Sequence, residues 1–223
     1  MTVRRSTVRV GGFAALCLLG GCVGGLLGGG KPDSLYRFGV SEPARTTERL
    51  SSAQPTLLVE KVRFASEIEG DRMLAVHAGT ARYIKGVRWV TSAPGLFAQA
   101  TVRELQSRMP GFRVTVAQEG VRNGYSLAVT IGQFEAQYDD ASMIGSPTIV
   151  IAGDATLYEL PTHAVVGQRH FVTRVNATHN GAGEIVAAFD RATTCYTADV
   201  ADWIMTSAAG QPPSGGAACP TRS

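Results

Sequence analysis

From Tyr125 to Ile131 the chain places an apolar side chain at every second position: Tyr125, Leu127, Val129 and Ile131. The series then changes phase and continues as Phe134, Ala136 and Tyr138. A spacing of two marks a strand with one buried face, and a slip of one residue flips that face. Gly132 sits at the slip, so the pattern predicts a β-bulge there. The same spacing recurs on either side. Phe112, Val114 and Val116 alternate with Arg113 and Thr115, and Asn123-Gly124 predicts a hairpin turn into the long strand. Ile149, Ile151, Ala155 and Leu157 define one face of a strand over 147–160. Leu160-Pro161-Thr162-His163 turns the chain, and Val165–Val175 returns as its hairpin partner. Upstream, Thr56–Phe64, Met73–His77 and Ala81–Trp89 read as strands. Arg82, Lys85 and Arg88 break the last of these, so one of its sides faces solvent. Leu35-Tyr36-Arg37-Phe38 has the alternation of a short edge strand.

Two segments carry helical spacing instead. Ala98, Val102, Leu105 and Met109 fall on one helical face, with Ser92 placed to cap, Pro94 in the first turn and Pro110-Gly111 as the stop. A longer helix is predicted over about 182–207, with Ile185, Phe189, Ala192, Tyr196, Val200 and Trp203 as its stripe. Strands, helix, hairpins and helix in that order give an α+β fold: a mostly antiparallel sheet with two main helices packed on one face.

The N-terminus follows a different pattern. Arg4, Arg5 and Arg9 precede an apolar run, Val10–Leu19, that is too short to span a bilayer. Leu19-Gly20-Gly21-Cys22 then has the form of a bacterial lipobox, with two small residues before the cysteine that receives the lipid. The rival is a plain secretory signal with an incidental cysteine; Ser6-Thr7-Val8 fits twin-arginine export poorly. An acylated Cys22 becomes the first mature residue and fixes the chain to a membrane, since two or more acyl chains hold stably where one does not. Val23, where an Asp would favour retention at the inner membrane, leans towards the outer one. Gly24–Gly30 reads as a flexible linker, because glycine disfavours a helix by nearly 1 kcal/mol per residue. The expected organisation is a signal peptide over 1–21, a lipidated tether and linker over 22–55, a folded domain over 56–208 and a tail over 209–223.

Composition narrows the function. The formal charge is +3, and the signal removes three of the 21 basic residues, leaving 18 against 18 acidic ones. A neutral mature chain lacks the positive field that nucleic-acid binding needs. Of four cysteines, Cys17 leaves with the signal and Cys22 is lipidated. Cys195 and Cys219 remain in an oxidising compartment, either as a disulfide that staples the tail or as one buried and one free thiol. No motif for catalysis, phosphate binding or metal binding is present. His77, His163, His170 and His179 are scattered, Asp139-Asp140 tip a turn, and Asn180-Gly181-Ala182-Gly183 is an incomplete anion cradle before a helix. The sequence thus points to no enzyme activity, cofactor or metal. The loop Ala141–Pro147 places Met143 and Ile144 among small residues, where they either meet a partner or fold back onto the sheet.

In order, Cys22, Tyr36-Arg37-Phe38, Asp71-Arg72-Met73-Leu74, Tyr83, Val87-Arg88-Trp89, Pro94, the strand with Leu127, Val129 and Phe134, and Ala187-Ala188-Phe189 with Trp203 make a recognisable set. The chain resembles the ABC-type transport auxiliary lipoprotein family over most of its mature length. Phe38 stands where the family tends to have Leu, and the long Gly-rich linker and the Cys219 tail are not family features. The resemblance implies a periplasmic, non-catalytic lipoprotein partnered by a mammalian-cell-entry-type substrate-binding protein, a permease and an ATPase, in a system that moves lipids between two membranes. A homo-oligomer is left open, and Trp89 is a candidate interface anchor. The alternatives are a structural or assembly lipoprotein of the envelope, and direct lipid binding by the domain.

Intact-mass measurement of the protein from its native envelope checks the anchor. The mature chain is expected to begin at an acylated Cys22, and Cys22→Ala to leave the precursor uncleaved; a wild-type chain cut elsewhere and carrying no lipid would overturn the lipobox.

Overall fold

Nine strands and two helices form among the residues that the computed structural model describes, namely 32–39, 54–116, 123–160 and 162–209. In chain order they are β1 (Ser34–Tyr36), β2 (Thr56–Val59), β3 (Arg63–Phe64), β4 (Arg72–His77), β5 (Thr80–Trp89), α1 (Ala93–Arg108), β6 (Arg113–Thr115), β7 (Gly124–Gln137), β8 (Thr148–Leu160), β9 (Val165–Asn176) and α2 (Ala182–Ala208). They make one mixed sheet whose long ladders are antiparallel, with both helices on its inner face. Cys22, the lipobox, Cys219 and most of the linker lie outside the described residues.

β7 is the strand that the others are built on. Along one flank it pairs antiparallel with β8, which pairs antiparallel with β9. Along the other flank three short strands share its length, all parallel to it: β2 beside 124–127, β3 beside 130–131 and β4 beside 135–137. Beyond β2 lies β6, and beyond β4 lie β5 and then β1. The predicted bulge is present. The β7–β8 register shifts between Ile131 and Gln133, so Gly132 is the extra residue. Leu127, Val129 and Ile131 before it, and Phe134 and Ala136 after it, all reach the same core.

The predicted Asn123-Gly124 hairpin is not formed. β6 and β7 lie on opposite sides of β2 and both run parallel to it, so they point the same way. Gly124 has another reason to be glycine. Its φ is +123°, and a Cβ there would collide with the backbone of Thr56.

α2 buries every residue of its predicted stripe. α1 turns inwards a face that only partly overlaps the one expected: Leu105 and Met109 are buried as predicted. Its buried residues are Ala93, Leu96, Phe97, Ala100, Thr101 and Leu105, while Ala98 and Val102 are half-buried at the side. Thr101 concealed this phase because it reads as polar. Its hydroxyl donates to the Phe97 carbonyl at 2.9 Å and so enters the core satisfied. Ser92 is the N-cap residue, without a side-chain capping bond.

The core centres on aromatic rings. Phe134 has Phe38, Phe64, Phe97 and Phe189 within 4.7–6.2 Å of its centroid, with Trp89 at 6.1 Å. Phe38, just past β1, therefore belongs to the folded body, which begins at Asp33. Phe134→Ala is expected to lower unfolding free energy in urea by about 3–5 kcal/mol, the range for a large buried ring. A loss under about 1 kcal/mol would deny Phe134 its central place.

Candidate functional site

Sequence-derived candidates for chemistry do not converge. His77 Nδ1 donates to the Tyr138 carbonyl at 2.9 Å, His170 meets Asp154 at 3.0 Å on the surface, and His163 and His179 are exposed. Among the described residues no group of three or more His, Cys, Asp or Glu could hold a metal ion. No described helix is long and apolar enough to cross a membrane. The glycines before α2 do not make an anion cradle either. Glu184 sits in the first turn with its carboxylate against Gly181, at the helix end that an anion would need.

Trp89 is 1% exposed, stacked edge-on against Phe38 at 4.9 Å and Phe189 at 5.3 Å. It is part of the core, and so cannot anchor a partner from the surface. Cys195 lies on α2 at 8% exposure.

Two features of the surface are organised. The first is where the N-terminal end of the folded body joins the sheet. Arg88, on β5, reaches Asp33 at 2.6 Å through Nε and Asp71 at 2.8 Å through Nη1. The two carboxylates hold its guanidinium pKa above the ordinary value, the Asp71 hydrogen bond foremost. β1 pairs with β5 from Ser34 to Tyr36, Phe38 fills the aromatic cluster, and Gly39 N–H donates to Asp190 Oδ1 at 2.5 Å. Gly39 has φ +68° and packs against Ala100, which leaves no room for a Cβ.

The second is the loop between β7 and β8. The Asp140 carboxylate accepts from the Ser142 hydroxyl, and the Asp140 backbone carbonyl accepts from the Met143 N–H at 3.2 Å. The Ser142 hydroxyl foremost, with the nearby backbone N–H groups of the turn, holds the Asp140 carboxyl below the usual carboxylate range. Asn180, just before α2, donates through Nδ2 to the carbonyls of Met143 and Ile144 at 2.8 and 2.9 Å. Its Oδ1 accepts from the Tyr138 hydroxyl at 2.6 Å. Burial, with the Asp140 charge second, raises the Tyr138 phenol. Met143 has φ +55°, a left-handed conformation that costs a non-glycine residue about 1–2 kcal/mol. It packs back against the core, whereas Ile144 is 75% exposed. The pair read together in the sequence is thus divided between interior and surface.

Sequence reasoning missed Arg88 with its two aspartates, and gave Asn180 the wrong task. Both sets of partners are far apart in the chain, so no local spacing announces them. The one available signal was an Asn immediately before a helix, where it can bind neighbouring backbone.

A family model described as ABC-type transport auxiliary lipoprotein component matches residues 36–201. No curated protein matches. Among solved structures, protein XCC0632 from Xanthomonas campestris, of the family model DUF330, is similar at TM-score 0.64 and 23% identity, covering 79% of this chain and 97% of that one. An uncharacterized protein is similar at TM-score 0.62 and 18% identity, covering 78% and 99%. These likenesses carry the fold.

Asn180→Ala is expected to speed amide hydrogen exchange at 142–145 selectively, with about 1 kcal/mol lost from global stability. Unchanged exchange there would show that the loop does not depend on this clamp.

Proposed function

The chain belongs to the ABC-type transport auxiliary lipoprotein component family, and we propose that it serves a transporter that moves lipids between the inner and outer membranes. As a member it is an auxiliary lipoprotein component of an ABC-type transport system in the bacterial envelope. The finer reading gives it three partners: a mammalian-cell-entry-type substrate-binding protein, a permease and an ATPase. Its role there is to bind and position rather than to catalyse. The observation that carries this is the coincidence of a family match over 36–201 with a lipobox at Cys22 and a Gly-rich run behind it. A domain on such a tether stays at its membrane while it samples the space beside it. With Val23 after the lipidated cysteine, that membrane is the outer one.

The tail fits the same exported setting. A Cys195–Cys219 bridge would fold it back along α2. From Cys195 to the helix end is roughly 20 Å at 1.5 Å per residue. The tail up to Cys219, at about 3.3 Å per residue, is long enough to return that distance. The bridge would add about 3 kcal/mol in the chain-entropy model.

Affinity purification of the tagged full chain from membranes in mild detergent tests the role. Recovery of the permease, the ATPase and the mammalian-cell-entry protein together is expected. Recovery of cell-wall or secretion machinery without them would overturn it.

A further inference from the structure

We propose that Ile144 is a preformed docking knob that inserts into an apolar, basic-rimmed socket on a protein subunit of the transporter. The proposal rests on the transport reading above and names the surface that serves it.

Three observations support it together. Ile144 is the most exposed large apolar side chain among the described residues, at 75%. Its backbone is nonetheless held, by Asn180 on the carbonyls of Met143 and Ile144 and by the Met143 N–H on the Asp140 carbonyl across the turn. The preceding Met143 stays left-handed with its side chain seated against the core, which leaves the next residue pointing away. Nothing in the packing of the sheet needs Ile144 in that place. A clamped apolar tip loses little conformational freedom on binding, so more of its burial appears as affinity.

Shape and charge then select the partner. Ala141, Ser142, Gly145 and Ser146 surround Ile144 with small side chains, so the tip is narrow and convex. A narrow knob fits a pocket rather than a flat face. Asp139 and Asp140 are exposed at its base. They favour Lys or Arg around the pocket, and they oppose an anionic lipid surface, which repels carboxylates at the depth an isoleucine would reach.

The test is photo-crosslinking of the full lipidated chain in its native envelope. A benzophenone amino acid replaces Ile144 or, as controls, Leu35, Val116 or Val172, which are exposed apolar residues elsewhere. Position 144 is expected to crosslink to a protein subunit of the transporter. Ile144→Ser is expected to weaken recovery of that subunit roughly tenfold or more. Asp139→Lys is expected to weaken it several-fold, with the loss shrinking at high salt. Adducts to lipid alone at position 144 would overturn the knob. So would crosslinks to the transporter from the control positions only, or none at 144 while the transporter still co-purifies; in both cases the transport reading survives. If the transporter neither co-purifies nor crosslinks at any position, that reading fails and the knob fails with it.

Discussion

The fold depends on Phe134 standing on the inner face of β7. There it meets rings from the segment after β1, from β3, from β5 and from both helices. It can do so only because Gly132 inserts one residue and resets the alternation. Without that bulge the far half of β7 would present Gln133, Glu135 and Gln137 to the helices. Those three instead share hydrogen bonds on the opposite side, through Glu135 Oε1. One glycine thus allows a long strand to serve two stretches of a single core.

The same aromatic cluster joins the N-terminal segment 33–39 to the rest of the body. Phe38 binds it from the inside, Arg88 holds Asp33 from the outside, and Gly39 closes onto Asp190. The short strand between them contributes few hydrogen bonds of its own. At the other organised surface the order is reversed. There a polar network around Asn180 and Asp140 supports an apolar tip.

Much of the fold was legible in the sequence because one-sided burial writes a period into the chain. The bulge, the β8–β9 hairpin and the stripe of α2 all follow from such periods. The parallel pairings did not. β2 and β3 are two to four residues long, and their neighbours are set by where β7 lies, which no local pattern records. For that reason Asn123-Gly124 read as a hairpin turn, although Gly124 is there to pass the Thr56 backbone. The face of α1 was read correctly at Leu105 and Met109 and missed in its first half, because Thr101 hides its polarity within the helix. Of the candidate site, the clamp on Ile144 was not legible. It needs residues 138, 143, 144 and 180 to come together, and only the folded chain does that.

The attachment at Asp33 has a mechanical consequence. Any pull passed along the chain from upstream arrives first at Asp33, and the guanidinium of Arg88 is the first group to bear it. Behind that ion pair stand three residues of edge strand, and behind those the ring of Phe38, held against Trp89 and Phe134. Resistance therefore rises in steps, from a contact that water can replace to one that cannot yield without opening the core. A domain fastened in this graded way can be pulled from its N-terminal side while its far surfaces keep their shape.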